Sequence, residues 1–145
     1  MILGNLDGIE TGIRQLIRDQ PLETVQFEWD GQVLTVPTIA ELLRIKGILI
    51  LKRNATRDYL DFVALANSMS DTAVVEAFRH FDSLYPQPNG QSALQQLQVQ
   101  LAKPLPFDLE DTHLEEYKNL ISEWQDWSRV ETAAMRVADL LLESL

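Results

Sequence analysis

The chain has 145 residues, of which 46% are hydrophobic, so it is long enough for one domain with a substantial core and short for two. Twelve basic residues against twenty-two acidic ones give a formal net charge of −10, which argues against a broad phosphate-binding surface for nucleic acid. The absence of cysteine excludes a disulfide framework, a thiolate metal site and a cysteine nucleophile.

The sequence shows no targeting or membrane-spanning signal. The N-terminus lacks a basic segment followed by an apolar run and a small-residue cleavage site, and no apolar run approaches the length that spans a bilayer. We therefore expect a soluble cytoplasmic protein. We also expect a single domain over residues 1–145, in which residues 1–36 form a helix and a hairpin and residues 37–145 form a helical bundle.

The first element has the spacing of a short amphipathic helix. Between Asp7 and Asp19 the apolar residues recur at helical intervals, and Pro21 ends the pattern. These residues are Ile9, Ile13, Leu16 and Ile17. The segment Gly4-Asn-Leu-Asp-Gly8 is interpreted as a turn with no strand after it.

A β-hairpin is predicted next. Residues 25–29 and 32–36 are rich in β-branched and aromatic side chains, and Asp30-Gly31 between them is a dipeptide favoured in tight hairpin turns. An isolated hairpin is marginally stable, so it needs a covering element. We therefore expect self-association or a partner chain at this hairpin, through Phe27, Trp29, Val33 and Val36.

From Thr38 onward the pattern is helical, so the predicted fold class is α+β and predominantly helical, with a bundle of about five to six helices. Thr38 and Glu41 have capping-box spacing at the start of a helix that runs to about Arg53 and is apolar on nearly every side. Asn54 or Thr56 is expected to cap the second helix. Further helices are predicted over 70–84 and 92–101, and Asp111 or Thr112 is expected to begin a last helical region, either one long helix or two meeting near Ser128.

Five charged residues around the first two bundle helices are the candidates for chemistry: Lys46, Arg53, Arg57, Asp58 and Asp61. Lys46 and Arg53 are two helical turns apart and project from one side of the first helix. On the second helix, Asp58 and Asp61 are three residues apart. An ammonium group in so apolar a helix needs a partner, and Asp61 is favoured as the partner of Lys46 because it lies on the core-facing side.

Two interpretations of these charges stay open on spacing alone. They are either an ion-pair network that joins two consecutive helices, or a site in which the lysine and arginines hold a polyphosphate while a carboxylate helps hold Mg²⁺.

A family resemblance favours the second interpretation. The run Glu41-Leu-Leu-Arg-Ile-Lys46, followed by Lys52-Arg53 and Arg57-Asp58-Tyr-Leu-Asp61, resembles the signature of AbiEii-type nucleotidyltransferases, which are abortive-infection and toxin–antitoxin toxins. The resemblance implies a mixed αβ core followed by helices, an NTP and Mg²⁺ as cofactors, and an antitoxin as a possible partner. It also implies catalytic roles for Lys46, Asp58 and Asp61, and nucleotide binding by Lys46, Arg53 and Arg57.

The chain departs from that family at the metal site. The family's glycine-serine turn and strand aspartate pair are missing, and Glu28 and Asp30 are weak substitutes as metal ligands because one such group does not make a two-metal site. The sequence therefore predicts a partial nucleotidyltransferase-like fold, truncated and inactive alone. The alternative is a non-catalytic helical interaction module with a structural Lys-Arg-Asp network.

The remaining candidates receive structural interpretations. His80 and His113 are far apart without paired carboxylates, so neither is expected to bind a metal ion. Tyr117, Trp124 and Trp127 follow helical spacing and are expected to pack in the core.

Overall fold

A computed structural model describes residues 2–13, 18–117 and 120–143. Within these ranges the chain forms two β-hairpins followed by six α-helices, so the fold is α+β and predominantly helical, as predicted.

The chain begins with a hairpin rather than a helix. Strands β1 (Ile2–Leu6) and β2 (Ile9–Ile13) pair antiparallel, with Leu6 opposite Ile9. Asp7 and Gly8 form the turn with positive φ at both positions, 51° and 84°, as a type I′ turn requires. The predicted helix is therefore wrong over residues 7–13, and its remaining part includes residues 14–17, which lie outside the described residues.

The second hairpin confirms the sequence prediction. Strands β3 (Thr24–Trp29) and β4 (Gln32–Pro37) pair antiparallel around Asp30 and Gly31, whose φ angles are 47° and 70°. In the described part of the chain the two hairpins form separate two-stranded sheets. The prediction of a mixed αβ nucleotidyltransferase core is wrong, because within residues 2–13, 18–117 and 120–143 no larger sheet joins these strands.

In the described residues, six helices follow β4. Thr38 caps the first one by accepting a hydrogen bond from the Glu41 backbone N–H at 3.1 Å, and Asn54 ends it in the left-handed conformation. The helices are α1 (Ile39–Arg53), α2 (Thr56–Asn67), α3 (Asp71–Phe78), α4 (Phe81–Leu84), α5 (Ala93–Ala102) and α6 (Trp127–Glu143).

Two helical predictions need correction. The helix predicted over 70–84 is broken at Arg79 and His80 into α3 and α4. The last helical region is not begun by Asp111 or Thr112; two short 3₁₀ turns, Leu114–Glu116 and Ser122–Gln125, precede α6. Asp126 accepts hydrogen bonds from the Ser128 backbone N–H at 3.0 Å and hydroxyl at 2.7 Å, which orders the start of α6.

The core lies between the helices. Helix α1 packs against α2, α3 and α5, while α6 packs against α2, α3 and α5. The largest fully buried side chains include Tyr59, Phe62, Phe78 and Phe81. Among the described residues, no helix combines the length and the apolar character needed to cross a membrane.

Candidate functional site

Lys46 and Asp61 join α1 to α2. The Lys46 ammonium donates to Asp61 Oδ2 at 2.6 Å, which is the contact favoured from the sequence. Arg57 Nε lies 3.9 Å from the same Asp61 oxygen, so two cations share one carboxylate. The Lys46 and Asp61 side chains are 25% and 38% exposed, and water therefore screens this pair.

Arg53 and Asp58 make a second, more buried link between the same helices. Arg53 donates to Asp58 through Nη2 at 2.5 Å and through Nε at 3.0 Å, a bidentate geometry. The Asp58 side chain is fully buried, whereas Arg53 is 39% exposed. Both carboxylates of the Arg-Asp-x-x-Asp motif are thus already occupied by cations of this chain.

The sequence analysis missed a cluster of charges around the buried Glu41. Glu41, 0% exposed, accepts from Arg18 Nη1 at 2.6 Å, from Arg44 Nη2 at 2.8 Å and from the Glu23 backbone N–H at 3.2 Å. Arg44 also donates to Glu23 Oε2 at 2.6 Å and to the Ala77 carbonyl at 3.2 Å. We call Arg18, Glu23, Glu41 and Arg44 the Glu41 cluster; it fastens the segment before β3 to α1 and α3.

The contacts of Glu41 also replace the expected capping box. Its carboxylate is turned to the two arginines, and the Thr38 backbone N–H donates instead to the Glu23 carbonyl at 3.0 Å. Arg18 is 23 residues from Glu41 in the chain, so no local spacing could reveal the pair. The sequence feature that could have indicated this cluster is the presence of Glu41 and Arg44 on a helix that was otherwise predicted to be apolar and buried.

Burial and hydrogen bonding shift the pKa values in this cluster. Burial alone would raise the pKa of Glu41, but donation from Arg44, Arg18 and the Glu23 N–H outweighs it and lowers that pKa. The hydrogen bonds from Arg44 and Thr38 lower the pKa of Glu23. Both glutamates are therefore held as carboxylates, which suits a structural ion-pair cluster.

A polar junction fixes the start of α2. Neither Asn54 nor Thr56 is the N-cap: that residue is Ala55, which offers no side-chain cap. The cap comes from Asp108, whose Oδ1 accepts from the Thr56 N–H at 2.7 Å and hydroxyl at 2.8 Å. Asn54 Oδ1 accepts from the Tyr59 hydroxyl at 2.7 Å, and burial raises the pKa of Tyr59 to about 12.

A cleft of about 450 Å³ opens beside the Lys46–Asp61 pair, between α2 and the residues that precede α6. We call it the α2 cleft. Arg57 and Asp61 are the charged residues of its lining. Its walls are apolar and aromatic: Leu60, Ala64, Tyr117, Leu120, Ile121 and Trp124.

The β3–β4 hairpin exposes an apolar face. Phe27 and Trp29 stack with their ring centroids 6.3 Å apart and are 48% and 67% exposed. Because side chains alternate along a strand, Val25 lies on the same face, and the pairing places Leu34 across from Phe27. On the opposite face Gln26 donates to the Thr35 hydroxyl at 3.0 Å. The hairpin is therefore two-sided, but the sequence analysis was wrong to group Val33 with Phe27 and Trp29. Val33 lies opposite Glu28, on the face that also carries Gln26 and Thr35.

The candidate metal ligands are not brought together. Glu28 lies opposite Val33 on the exposed hairpin, and Asp30 occupies its turn. His80 precedes α4 and His113 precedes a 3₁₀ turn, both exposed. Within the part of the chain that the structure describes, no group of three or more histidine, aspartate or glutamate side chains could hold a metal ion.

Comparison with known proteins relates the chain to transport proteins. It is 32% identical over 129 residues to the mycolic acid-containing lipids exporter MmpL11 of Mycolicibacterium smegmatis, a match that covers 87% of this chain and 13% of that protein. It is 38% identical over 97 residues to the heme uptake protein MmpL11 of Mycobacterium tuberculosis, covering 65% of this chain and 10% of that protein. The probable transport protein MmpL11 of Mycobacterium leprae is 31% identical over 129 residues, 87% of this chain and 12% of that protein.

The chain thus spans only 10% to 13% of the length of these relatives. No family model matches the sequence. No solved structure matches it either.

These relatives overturn the resemblance to AbiEii-type nucleotidyltransferases, and with it the interpretation as a toxin of an abortive-infection or toxin–antitoxin system. The physical reason lies in the motif. The ion pairs Lys46–Asp61 and Arg53–Asp58 join two consecutive helices. Charged residues that form such pairs can have the same spacing in the sequence as those of a nucleotide-binding motif. The roles assigned to these residues, and binding of an NTP with Mg²⁺, depended on that resemblance.

Proposed function

We propose that this chain is a non-catalytic interaction module of a transport protein of the MmpL11 kind. The observation that carries the proposal is a match over 87% of this chain to only 13% of a much longer transport protein. The charge pairing supports it, because Asp58 and Glu41 are fully buried and are bonded to arginines of the same chain. In this proposal the Lys-Arg-Asp network is structural.

The proposed contact surface is the apolar face of the β3–β4 hairpin, and the proposed occupant is another part of such a transport protein. Phe27 and Trp29 supply large rigid apolar surfaces of the type enriched at protein interfaces. The size of the relatives supports this occupant, since nearly nine tenths of their length lies outside the match. A cytoplasmic location, expected from the sequence, is part of the same proposal.

A chimera tests the function. The segment of the Mycolicibacterium smegmatis exporter that matches this chain is replaced by the chain, and export of mycolic acid-containing lipids is compared with that of the wild-type exporter. A second chimera carries a flexible glycine-serine linker of equal length. At equal protein levels, we expect export from the first chimera only; two equally inactive chimeras would contradict the proposal.

Paired substitutions test the surface. Phe27→Ser with Trp29→Ser removes the stacked rings, whereas Phe107→Ser with Val99→Ser changes two side chains that are 75% and 74% exposed elsewhere. We expect the hairpin variant to lose export and the control variant to retain it.

Because the chain has no cysteine, a single cysteine introduced at exposed Gln125 reports its location through labelling with membrane-impermeant maleimide in intact and opened cells. Labelling in intact cells would contradict a cytoplasmic location.

A further inference from the structure

The α2 cleft is lined mainly by apolar and aromatic side chains, with one arginine and one aspartate among them. Its walls include the buried Trp124, 5% exposed, and Leu60, 4% exposed, and its volume of about 450 Å³ lies within the range of small-molecule sites. Ile121 at the wall is 58% exposed, so the apolar surface is reachable from solvent. An occupant of this cleft needs an apolar body.

The sign of the charge beside the cleft follows from Arg57 and Asp61 of its lining and from Lys46, which pairs with Asp61. Asp61 contributes one negative charge, which Lys46 neutralises at 2.6 Å. Arg57 stands 3.9 Å away, is 74% exposed and makes no other ion pair among the described residues. These three groups sum to one positive charge in a chain whose formal net charge is −10. The cleft is thus locally favourable to an anion.

From this combination we propose that the α2 cleft binds a free single-chain amphiphile with a carboxylate head. The Arg57 guanidinium presents paired N–H donors in the planar geometry that matches a carboxylate, and the apolar tail lies along the accessible side chains of Tyr117, Leu120 and Ile121, in a cleft that Trp124 also lines. A polyphosphate is a poorer occupant, because one net positive charge beside an apolar wall cannot neutralise several negative charges. A cationic amphiphile meets Arg57 and Lys46 as like charges.

Calorimetric titration of the full chain with dodecanoate, below its micelle-forming concentration, tests the proposal. Dodecanol and dodecyltrimethylammonium serve as the neutral and cationic counterparts with the same tail. We expect dodecanoate to bind best, and we expect Arg57→Gln to weaken its binding about tenfold, because a hydrogen bond to a charged group is lost. Arg79→Gln is the matched control, since Arg79 is also exposed, at 64%, and paired within its own helix turn; it should leave binding unchanged.

A second measurement locates the ligand. Dodecanoate brominated along its tail quenches nearby tryptophan fluorescence, and we expect Trp124→Phe to remove more of the quenching than Trp29→Phe does. The inference is overturned if dodecanoate does not bind, or if dodecanol or dodecyltrimethylammonium binds as tightly as dodecanoate. It is also overturned if the Arg57→Gln variant binds dodecanoate with the affinity of the wild type. The proposal concerns a free amphiphile, so a chain that binds dodecanoate in lipid vesicles but not dodecanoate in solution would contradict it as well. The chimera experiment does not depend on this binding, so each proposal can fail alone.

Discussion

Lys46 and Arg53 stand two helical turns apart on α1 and each bonds a carboxylate of α2, but their partners differ in burial. Asp61 is 38% exposed, whereas Asp58 is fully buried. A buried carboxylate that loses its cation keeps its desolvation cost, while an exposed one is hydrated again. The two links are therefore unequal in stability although they are alike in sequence.

Alanine substitution measures this inequality. We expect Lys46→Ala to change the free energy of unfolding by less than about 1 kcal/mol, as for exposed ion pairs. Arg53→Ala leaves the buried Asp58 without its bidentate partner and should cost about 2 kcal/mol or more. Urea unfolding followed by circular dichroism gives both values. Equal losses in the two variants would show that burial of the carboxylate does not set the strength of these links.

The Glu41 cluster joins one buried carboxylate to two arginines. Glu41→Gln keeps the shape of the side chain but leaves Arg18 and Arg44 facing a neutral amide. We expect a loss of about 3 to 5 kcal/mol, the range for breaking a buried ion pair.

Glu76→Gln is the control for that substitution. Glu76 pairs with Arg79 at 2.6 Å, the same distance as Arg18 to Glu41, but its side chain is 57% exposed. Its loss should stay within about 0.5 kcal/mol, because screened surface pairs contribute little. Thermal and urea unfolding of the two variants, measured side by side, separate burial from distance.

At the scale of elements, the accuracy of the sequence analysis followed how distinct each pattern was. The β3–β4 hairpin and the helices α1, α2 and α5 were predicted because their periods and turn residues agree. The first element was wrong because Ile9 and Ile13 are four residues apart, a spacing that places side chains on one face of a helix and also on one face of a strand. Asp7-Gly8 repeats the Asp30-Gly31 turn, and that repetition could have revealed the first hairpin.

The site was harder to predict than the elements, because its contacts join distant parts of the chain. Asp108 caps α2 from 52 residues away, and Arg18 reaches Glu41 across 23 residues. Pairing of Lys46 with Asp61 could be predicted because both lie on consecutive helices. Whether such a pair binds a ligand or joins two helices depends on surrounding burial, which local spacing does not encode.

The packing of α1 against α5 depends on one glycine. A Cβ atom at Gly47 would lie 2.9 Å from Leu97 Cδ2 and 3.3 Å from Phe78 Cε1, both in the buried core. Alanine favours the helix by about 1 kcal/mol over glycine, but overpacking of a core costs about 1 to 3 kcal/mol. We therefore expect Gly47→Ala to lower the free energy of unfolding by about 1 kcal/mol.

A double-mutant cycle checks the cause. Leu97→Val removes the end of the side chain that the new methyl group would meet, so Gly47→Ala should cost less in that background. If the two losses simply add, the clash with Leu97 is not what makes glycine necessary at position 47.

At the scale of the whole molecule, ionisation limits stability on both sides of neutral pH. The pKa values of Glu41 and Glu23 are lowered in the folded chain, so their contribution is present above the ordinary value of 4.5 and is lost as the pH falls through the folded values. Burial raises the pKa of Tyr59 from 10.0 to about 12, so its contribution is present below pH 10 and is lost as the pH rises toward 12.

We therefore expect the free energy of unfolding to be level between these limits and to fall on both sides, and the two sides should respond to different substitutions. Glu41→Gln should flatten the fall in acid without changing the alkaline side, while Tyr59→Phe should do the reverse, since phenylalanine cannot ionise. Urea unfolding at a series of pH values gives the curves for the wild type and both variants. A Glu41→Gln curve parallel to that of the wild type in acid would mean that other carboxylates cause the loss. The Glu41 cluster joins the segment before β3 to α1 and α3, so in acid the environment of Trp29 on the attached hairpin should change before the helices unfold. Fluorescence of a Trp124→Phe, Trp127→Phe variant, which keeps Trp29 alone, compared with far-ultraviolet circular dichroism checks this order.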